Sequence, residues 1–316
     1  MTNILFRFIS GLGIAFVVFS ACERVDENDP QKELKVLFIG SSFGVNTFAQ
    51  FPAMATVGGL NITAVCAYQG GMTLKDLRNH IEDSSKITEC FCYSSSEQKW
   101  CNWGSLTVEE LLRDENWDII ILQRSAPGKN GGSDVWSDEM SEDFSFILHY
   151  IEEHTGGQPS IMFNSCFSRP VCSFAGGKEE QISQTRAIMN TARIVEEGFK
   201  IRIIPSAVAI QTARGTSLAY IKTSNSMQYQ IPDMTGLGQH LDTGVGSYVL
   251  GCLLFELICE PILGVSVTEL NYLPSLSDVK GLVFADQWFT RISERDAQVA
   301  IQCALYAKYN PYAYCD

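Results

Sequence analysis

One serine of this sequence stands in a pattern that suits a nucleophile. Ser42 is the central residue of Gly40-Ser41-Ser42-Phe43-Gly44, which directly follows a short apolar run. A serine hydroxyl attacks an ester carbonyl when a nearby base, often an imidazole, removes its proton. Of the four histidines, only His240 lies in a glycine-rich stretch just before a predicted helix. The two residues indicate acyl transfer, although a serine after a strand can also simply cap a helix.

Two further positions could stabilise the negative charge that forms on the carbonyl oxygen in such a reaction. Gly70-Gly71 ends a second apolar run, where bare backbone could approach a substrate closely. Gln123 ends a third run and could present its side-chain amide. Hydrogen-bond donors aimed at an oxyanion stabilise the tetrahedral intermediate. Taken singly, the glycine pair also fits an ordinary turn and Gln123 an ordinary loop amide.

Alternating strands and helices must bring these distant residues together. Short continuous apolar runs are typical of strands buried in a parallel sheet, and they predict strands over residues 34–40, 61–68, 117–123, 160–164 and 200–204. Helices are predicted over residues 46–57, 72–81, 107–113, 137–154, 179–197, 243–258 and 293–308, and residues 87–106 resemble a hairpin or an ordered excursion. This alternation favours an α/β fold with helices on both faces of the sheet. Active groups of such a sheet gather on the loops beyond the carboxyl ends of the strands.

The place of the serine in the chain separates two folds that use this motif. In the α/β-hydrolases, several strands and an oxyanion loop precede Gly-x-Ser-x-Gly. Here the motif follows the first strand after an N-terminal leader, which argues against that arrangement. The order instead resembles the SGNH (GDSL) hydrolases, whose nucleophile follows the first strand and whose histidine lies near the end of the chain.

Short strings carry the resemblance further, to a largely uncharacterised family of bacterial SGNH-like proteins that is common among exported lipoproteins. Residues 39–43 are similar to its Ile-Gly-Asn-Ser-Phe block. Its later blocks are similar to residues 68–74, 117–123, 210–214 and 240–248. The matches span roughly residues 34–260. The resemblance implies a flavodoxin-like three-layer α/β/α sandwich with a mainly parallel five-stranded sheet.

The same resemblance implies a role for each candidate residue. Ser42 would be the nucleophile and His240 the general base. The backbone N–H groups of Ser42 and Gly71, together with the Gln123 amide, would form the oxyanion hole. The resemblance implies neither a metal ion nor an organic cofactor. The implied activity is that of a serine esterase acting on a carboxylic ester, with an acyl group on a carbohydrate as the expected substrate.

One position departs from the family pattern. The family usually has Asp three residues before the histidine, where this chain has Leu237. Without an orienting carboxylate an imidazole can take the wrong tautomer, with a loss of several orders of magnitude in rate. Asp233 or a backbone carbonyl could orient His240 instead, and Asp242 is expected to cap the following helix. The alternative function is therefore a weakened or inactive SGNH-fold surface lipoprotein that binds glycans.

The N-terminal residues predict export. Residues 4–21 are almost wholly apolar, interrupted by Arg7. The string Phe19-Ser20-Ala21-Cys22 at their end resembles a bacterial lipobox. We expect residues 1–21 to be a lipoprotein signal peptide and Cys22 to be lipidated; an uncleaved anchor is the alternative. Residues 22–33 would form an acidic tether, and residues 34–316 a single hydrolase domain. The expected location is the cell envelope, as an outer-membrane lipoprotein, and the tether resembles the export tags of surface-exposed lipoproteins.

Charge and cysteine content narrow the classes of partner. The chain has 36 acidic and 23 basic residues, a net charge of −13. Such a surface repels phosphate backbones, so nucleic-acid binding is not expected and a neutral substrate fits better. Assigning Cys22 to lipid leaves ten of the 11 cysteines, an even number that permits disulfides in an exported protein. We expect one bridge within Cys90, Cys92 and Cys101.

Overall fold

A computed structural model provides the structure of the chain. It describes residues 33–113, 115–125, 135–223, 233–236, 238–283 and 287–314. The predicted signal peptide, Cys22, nearly all of the tether and Leu237 lie outside the described residues. The predicted features there remain expectations.

A single mixed sheet forms the centre of the described chain. Its strands are β1 Leu34–Ser41, β2 Ile62–Gln69, β3 Ile87–Ser94, β4 Lys99–Leu106, β5 Ile119–Leu122, β6 Ser160–Asn164 and β7 Arg202–Ile204. Across the sheet the order is β4-β3-β2-β1-β5-β6-β7. Strands β1, β2, β5, β6 and β7 are parallel, whereas β3 is antiparallel to β2 and β4 is antiparallel to β3. The α/β class is confirmed, but the predicted five strands are too few because the hairpin of residues 87–106 extends the sheet.

Helices cover both faces of this sheet. They are α1 Phe43–Phe48, α2 Phe51–Val57, α3 Leu74–Glu82, α4 Val108–Arg113, α5 Asp138–His154, α6 Gly177–Phe199, α7 Ser206–Arg214, α8 Gly246–Leu254, α9 Glu260–Leu263 and α10 Glu294–Tyr309, with a π-helical turn at Phe255–Cys259 between α8 and α9. The helix predicted over residues 46–57 is instead two short helices. Pro52 lies in the first turn of α2, where its missing N–H has no partner to lose.

The first strand shows why its sequence is apolar at almost every position. Val36 and Phe38 pack into the core under α1, α2, α7, α8 and α10, whereas Leu37 and Ile39 pack into the core under α3, α4 and α5. All four side chains are fully buried. Because successive side chains of a strand point to opposite faces, a sheet covered on both sides requires an unbroken apolar run.

The segment Gly246–Leu263 is long and apolar enough to cross a membrane. Its mean hydropathy is 1.6, yet 78% of it is buried inside the protein. It packs against α1, α2, α7 and α10. Among the described residues this is the only such segment, and its contacts are those of a core helix.

The predicted disulfide is wrong. Cys90, Cys92 and Cys101 are free thiols. Cys92 lies opposite Cys101 on the β3–β4 hairpin, whereas Cys90 lies opposite Gly104. Burial raises the pKa of the Cys90 thiol to about 11 and that of Cys92 to about 12, which keeps both sulfurs protonated at neutral pH.

Candidate active site

Ser42 occupies the junction between β1 and α1. A serine at this place could cap the helix, but its side chain makes no capping hydrogen bond. Its Oγ lies instead 3.0 Å from Nε2 of His240, 198 residues further along the chain. This is a hydrogen-bonding distance. The fold therefore brings the candidate nucleophile and the candidate base together.

Two glycines of the motif are required by packing. A Cβ on Gly44 would lie 1.9 Å from a ring carbon of Phe38, and one on Gly40 would lie 2.8 Å from Cβ of Gln123. Contacts this short do not occur between real side chains, because overpacking displaces buried neighbours. The Gly-x-Ser-x-Gly spacing thus lets Phe38 pack beneath the serine and lets Gln123 approach β1.

His240 lies on a loop that folds back on itself. We call residues 233–236 the first limb and residues 240–242 the second limb of the His240 loop. The Asp242 N–H donates to the Met234 carbonyl at 2.7 Å, and the Gly236 N–H donates to the His240 carbonyl at 2.9 Å. Thr235 of the first limb and Leu241 of the second limb form an antiparallel β-bridge. These bonds hold the backbone that carries the imidazole.

An asparagine on α1 ties the His240 loop to the serine junction. The Nδ2 group of Asn46 donates to the carbonyl of Leu241 at 2.9 Å, across 195 residues of sequence. Asn46 is fully buried. Because buried hydrogen bonds are strengthened by the low local dielectric constant, this contact couples the position of α1 directly to that of the second limb.

Aromatic side chains set the orientation of the imidazole. The Trp288 ring stacks on His240 with a centroid distance of 5.3 Å and an interplanar angle of 23°. Phe43 meets the imidazole edge-on at 5.4 Å, and Phe167 stacks on Phe43 at 4.5 Å. The three aromatic rings are buried. Packing on a face and an edge restricts rotation of the ring about its side-chain bonds.

The two aspartates considered as orienting groups serve other partners. Asp233 accepts hydrogen bonds from Arg214 at 2.6 Å and from the Val171 N–H at 2.9 Å. Asp242 accepts from the Gly244 N–H and from the Thr290 hydroxyl, at 2.9 and 2.7 Å. Among the described residues, neither carboxylate hydrogen-bonds to the imidazole. The suggestion that Asp233 replaces the missing family aspartate is therefore wrong. The expectation that Asp242 caps the following helix is also wrong: its Oδ1 accepts from the N–H groups of Gly244 and Val245, in the turn before the helix, and α8 begins at Gly246 without a side-chain cap.

Asp242 makes the stability of the fold depend on pH. Burial raises the pKa of its carboxyl to about 6, against the opposing effect of hydrogen bonds from Thr290, Gly244 and Val245. Between about pH 4 and pH 6 the folded protein holds a proton that the unfolded chain releases, so this stabilising contribution is present at low pH and is lost as the pH rises. We expect the free energy of unfolding to fall by about 3 kcal/mol across this window on account of Asp242.

Urea unfolding of the wild type and of Asp242→Asn at pH 4 to 7 measures this effect. The Asn oxygen can accept the three backbone N–H groups that point at Oδ1, and its NH2 can donate to the Thr290 hydroxyl. The variant should therefore fold and lack the pH-dependent component. An identical slope of stability against pH in both proteins would contradict the assignment.

Gln123 and Gly71 flank the serine junction on its two sides. The Gln123 N–H donates to the Ile39 carbonyl at 3.0 Å, which places Gln123 beside β1. Its Oε1 accepts from the Ser41 hydroxyl at 3.2 Å, and its Nε2 is buried with no hydrogen-bond partner among the described residues. On the other side, Ser41 pairs with Gln69 of β2, and Gly71 follows two residues later with φ at +74°. This left-handed conformation favours glycine.

Sequence reasoning did not identify the residues that surround His240. Trp288 lies 48 positions after the histidine, outside any predicted helix or strand. Phe167 is an apolar residue after β6 with no distinguishing neighbours. Arg214 falls in a string that resembles a family block, but nothing in the string indicates an ion pair. Their common feature is contact across the sheet edge, which leaves no local pattern.

The histidines on α5 lie apart from this site. The Nε2 atom of His149 pairs with Glu153 at 3.3 Å, and Nδ1 of His154 lies 2.8 Å from the Tyr150 carbonyl oxygen. The described residues contain no group of three or more His, Cys, Asp or Glu side chains arranged to hold a metal ion.

Comparisons with known proteins identify the fold. No protein-family model and no curated protein matches the chain. The chain is similar to a solved DUF4886 family protein from Bacteroides uniformis, with 23% identity, a TM-score of 0.69 and coverage of 90% of this chain and 97% of that one. This similarity shows a shared fold over nearly the whole of both chains.

Two solved enzymes are more distant. An acetylxylan esterase from Geobacillus stearothermophilus has 15% identity and a TM-score of 0.36, covering 58% of this chain and 80% of that one. TesA has 11% identity and a TM-score of 0.33, covering 54% of this chain and 77% of that one.

Proposed function

We propose that this protein is a serine esterase of the SGNH type that hydrolyses a carboxylic ester. The observation that carries the proposal is the 3.0 Å contact between Ser42 Oγ and His240 Nε2, made by a hydroxyl that does not cap its helix. Nucleophile and base within hydrogen-bonding reach are the requirement for an activated serine.

The proposed reaction has two stages. His240 Nε2 takes the hydroxyl proton while Ser42 Oγ bonds to the ester carbonyl carbon, which gives a tetrahedral intermediate. The protonated imidazole then gives its proton to the departing alcohol as the ester C–O bond breaks. In the second stage the same imidazole takes a proton from water, whose oxygen bonds to the carbonyl carbon of the acyl-serine. The bond from that carbon to Ser42 Oγ then breaks, the imidazole returns the proton to Oγ, and the acid leaves. No step needs a redox partner, since each bond change is an acyl transfer.

The oxyanion hole in this proposal consists of the Ser42 and Gly71 backbone N–H groups and the Gln123 amide. The unpartnered Nε2 of Gln123 supports this role, because a buried donor without a partner is costly and needs an explanation. We expect Gln123→Ala to lower kcat for p-nitrophenyl acetate by about 100-fold, with KM nearly unchanged. Gln298→Ala, on the exposed side of α10, is the control; equal kcat values for both variants would exclude Gln123.

Covalent labelling tests the proposed nucleophile directly. A fluorophosphonate probe should modify the folded wild type at one site, and mass spectrometry of the digested protein should place the probe on Ser42. Denatured protein should not react, because the probe requires an activated hydroxyl. A folded protein that stays unlabelled would favour the alternative, a glycan-binding protein of the same fold without hydrolysis.

We further propose that the ester is an acyl group on a carbohydrate. Polar side chains line the sheet edge beside Gly71, and we call Gln69, Thr88 and Ser105 the polar rim. The Thr88 hydroxyl donates to Gln69 Oε1 at 3.0 Å, and the Ser105 hydroxyl donates to the Thr88 carbonyl at 2.7 Å. Thr88 and Ser105 are exposed. Exposed hydroxyls can form hydrogen bonds with a leaving group that carries several hydroxyls of its own. The net charge of −13 favours a neutral leaving group over an anionic one.

Replacement of the rim hydroxyls separates this substrate from a simple ester. Thr88→Val and Ser105→Ala should each raise KM for an acetylated methyl glycoside about fivefold, the effect of one lost hydrogen bond. Hydrolysis of p-nitrophenyl acetate should not change, because its leaving group has no hydroxyls for the rim. Parallel changes on both esters would argue against a sugar-binding rim.

Export and lipid anchoring complete the proposal. They depend on the sequence of residues 1–22, with Cys22 as the lipidated residue. Metabolic labelling with a radioactive fatty acid should modify the wild type and not Cys22→Ala. Label in both proteins, or in neither, would reject the anchor without affecting the esterase proposal.

A further inference from the structure

A buried ion pair lies next to the His240 loop. Arg214 Nε donates to Asp233 Oδ1 at 2.6 Å, and each side chain is only 6% exposed. Removing both charges from water costs free energy that the attraction between them often fails to offset. A pair of this kind is therefore weak evidence for stability, and its position invites another explanation.

The pair joins separate parts of the chain. Asp233 Oδ2 accepts from the Val171 N–H at 2.9 Å and from Gln181 Nε2 on α6 at 3.1 Å. Arg214, the last residue of α7, donates from Nη1 to the Ser168 hydroxyl at 2.6 Å and from Nη2 to the Ser168 carbonyl at 2.9 Å. The ion pair and its hydrogen bonds thus connect α6, α7, the loop after β6 and the first limb of the His240 loop.

Both sides of the catalytic pair are attached to this ion pair. Asp233 precedes Met234, whose carbonyl accepts the Asp242 N–H from the second limb. Ser168 follows Phe167, which stacks on Phe43 beside the nucleophile. A shift of the ion pair would therefore move the imidazole and the stacked rings of Phe167 and Phe43 relative to Ser42.

Backbone strain at Met234 is an independent sign of this constraint. Its φ is +53°, in the left-handed region, and its side chain is fully buried. A non-glycine residue in that region is strained and persists only where its surroundings over-determine it. Asp233 holds one side of Met234, and the hydrogen bond from Asp242 holds the other.

We propose that the Arg214–Asp233 ion pair is a positioning element that places His240 within reach of the Ser42 hydroxyl. This proposal rests on the proposed esterase function. Neither residue of the pair touches the reacting atoms. They act through the first limb, which is hydrogen-bonded to the second limb that carries the imidazole. The effect is geometric because the two opposite charges balance each other.

A second buried ion pair provides a matched control. Glu256 accepts from Lys308 Nζ and the Ser266 hydroxyl, both at 2.7 Å, and from the Val267 N–H at 2.6 Å. Like Asp233, it combines one cation, one backbone N–H and one side-chain donor. It lies ten residues after Gly246, the start of α8, about 15 Å along the helix. Removal of its charge should weaken the fold without moving the His240 loop.

The experiment compares Asp233→Asn with Glu256→Gln. Thermal unfolding should show a loss of stability in both variants. At a temperature where both are folded, the rate of Ser42 labelling by a fluorophosphonate should fall about tenfold or more in Asp233→Asn, since a displacement near 1 Å can cost up to about 100-fold. For p-nitrophenyl acetate, kcat should fall by the same factor while KM stays within about threefold. Glu256→Gln should label within about twofold of the wild type.

Arg214→Lys keeps the charge but loses the forked contact with Ser168. Its rate of Ser42 labelling should therefore lie between the rates of the wild type and of Asp233→Asn. Labelling of Asp233→Asn at the wild-type rate, or an equal loss in Glu256→Gln, overturns the positioning role. So does failure of both Asp233→Asn and Arg214→Lys to fold, because the pair would then serve the fold as a whole. A wild type that behaves like Ser42→Ala would instead reject the esterase proposal itself.

Discussion

Replacement of Ser42 by alanine is expected to lower kcat/KM for p-nitrophenyl acetate by about a thousandfold or more, which corresponds to about 4 kcal/mol of transition-state stabilisation. The variant loses the only atom that forms the covalent bond to the acyl group in the proposed mechanism. Its fold should persist, since the Ser42 side chain makes no helix-capping bond. Stopped-flow or absorbance assays of released p-nitrophenol measure the rate.

A second serine provides the control for this experiment. Ser247 on α8 is fully buried, and within the part of the chain that the structure describes its hydroxyl has no hydrogen-bond partner. Ser247→Ala should therefore leave activity unchanged and leave the midpoint of thermal unfolding the same or slightly higher. Hydrolysis by Ser42→Ala at the rate of Ser247→Ala would end the esterase proposal, because the measured rate would then owe nothing to the proposed nucleophile.

The second large effect is expected for His240→Ala. Without the imidazole, Ser42 has no base at 3.0 Å, and kcat/KM should again fall by about a thousandfold. Nucleophile and base act as a unit, so the double variant with Ser42→Ala should be no slower than either single variant. Additive losses in the double variant would mean that the two residues act independently.

Chemical rescue gives this prediction a second readout. Removal of the imidazole leaves a space between the rings of Trp288 and Phe43, whose centroids lie 5.3 and 5.4 Å from that of the imidazole. Added free imidazole should enter that space and restore part of the activity of His240→Ala. It should not restore Ser42→Ala. His149→Ala is the control, since His149 is exposed on α5 and pairs only with Glu153 among its described contacts.

Local sequence patterns were sufficient to predict most strands of the sheet. The run of β1 is apolar because both of its faces are covered, and β6 has the predicted bounds, Ser160–Asn164. The predicted start of the helix over residues 107–113 is also close to the observed one: the Thr107 hydroxyl accepts from the Glu110 N–H at 3.1 Å and caps α4, which begins at Val108. These features are visible in sequence because each depends on residues within one or two turns of the chain.

Other elements could not be read locally. Helix α7, Ser206–Arg214, is absent from the prediction, and all but its last residue are buried, so it lacks the amphipathic alternation that marks a surface helix. Residues 87–106 were interpreted as a hairpin or an ordered excursion; the structure has a hairpin there, β3 and β4, at the edge of the sheet. The hairpin can pair only with a strand whose edge is free. Here that strand is β2, and its free edge exists only once β2 has paired with β1.

For the site, chain order and local motifs determined the candidates: a serine after the first strand, glycine and glutamine after two neighbouring strands, and a histidine near the end. Only the tertiary structure decided that the Ser42 hydroxyl is hydrogen-bonded to His240 instead of capping α1. It also assigned Asp233 to Arg214 and placed Trp288 against the imidazole. The physical reason is range. Strand burial, capping and glycine sterics act between neighbours in sequence, whereas side-chain pairing across 198 residues depends on the packing of the whole sheet edge.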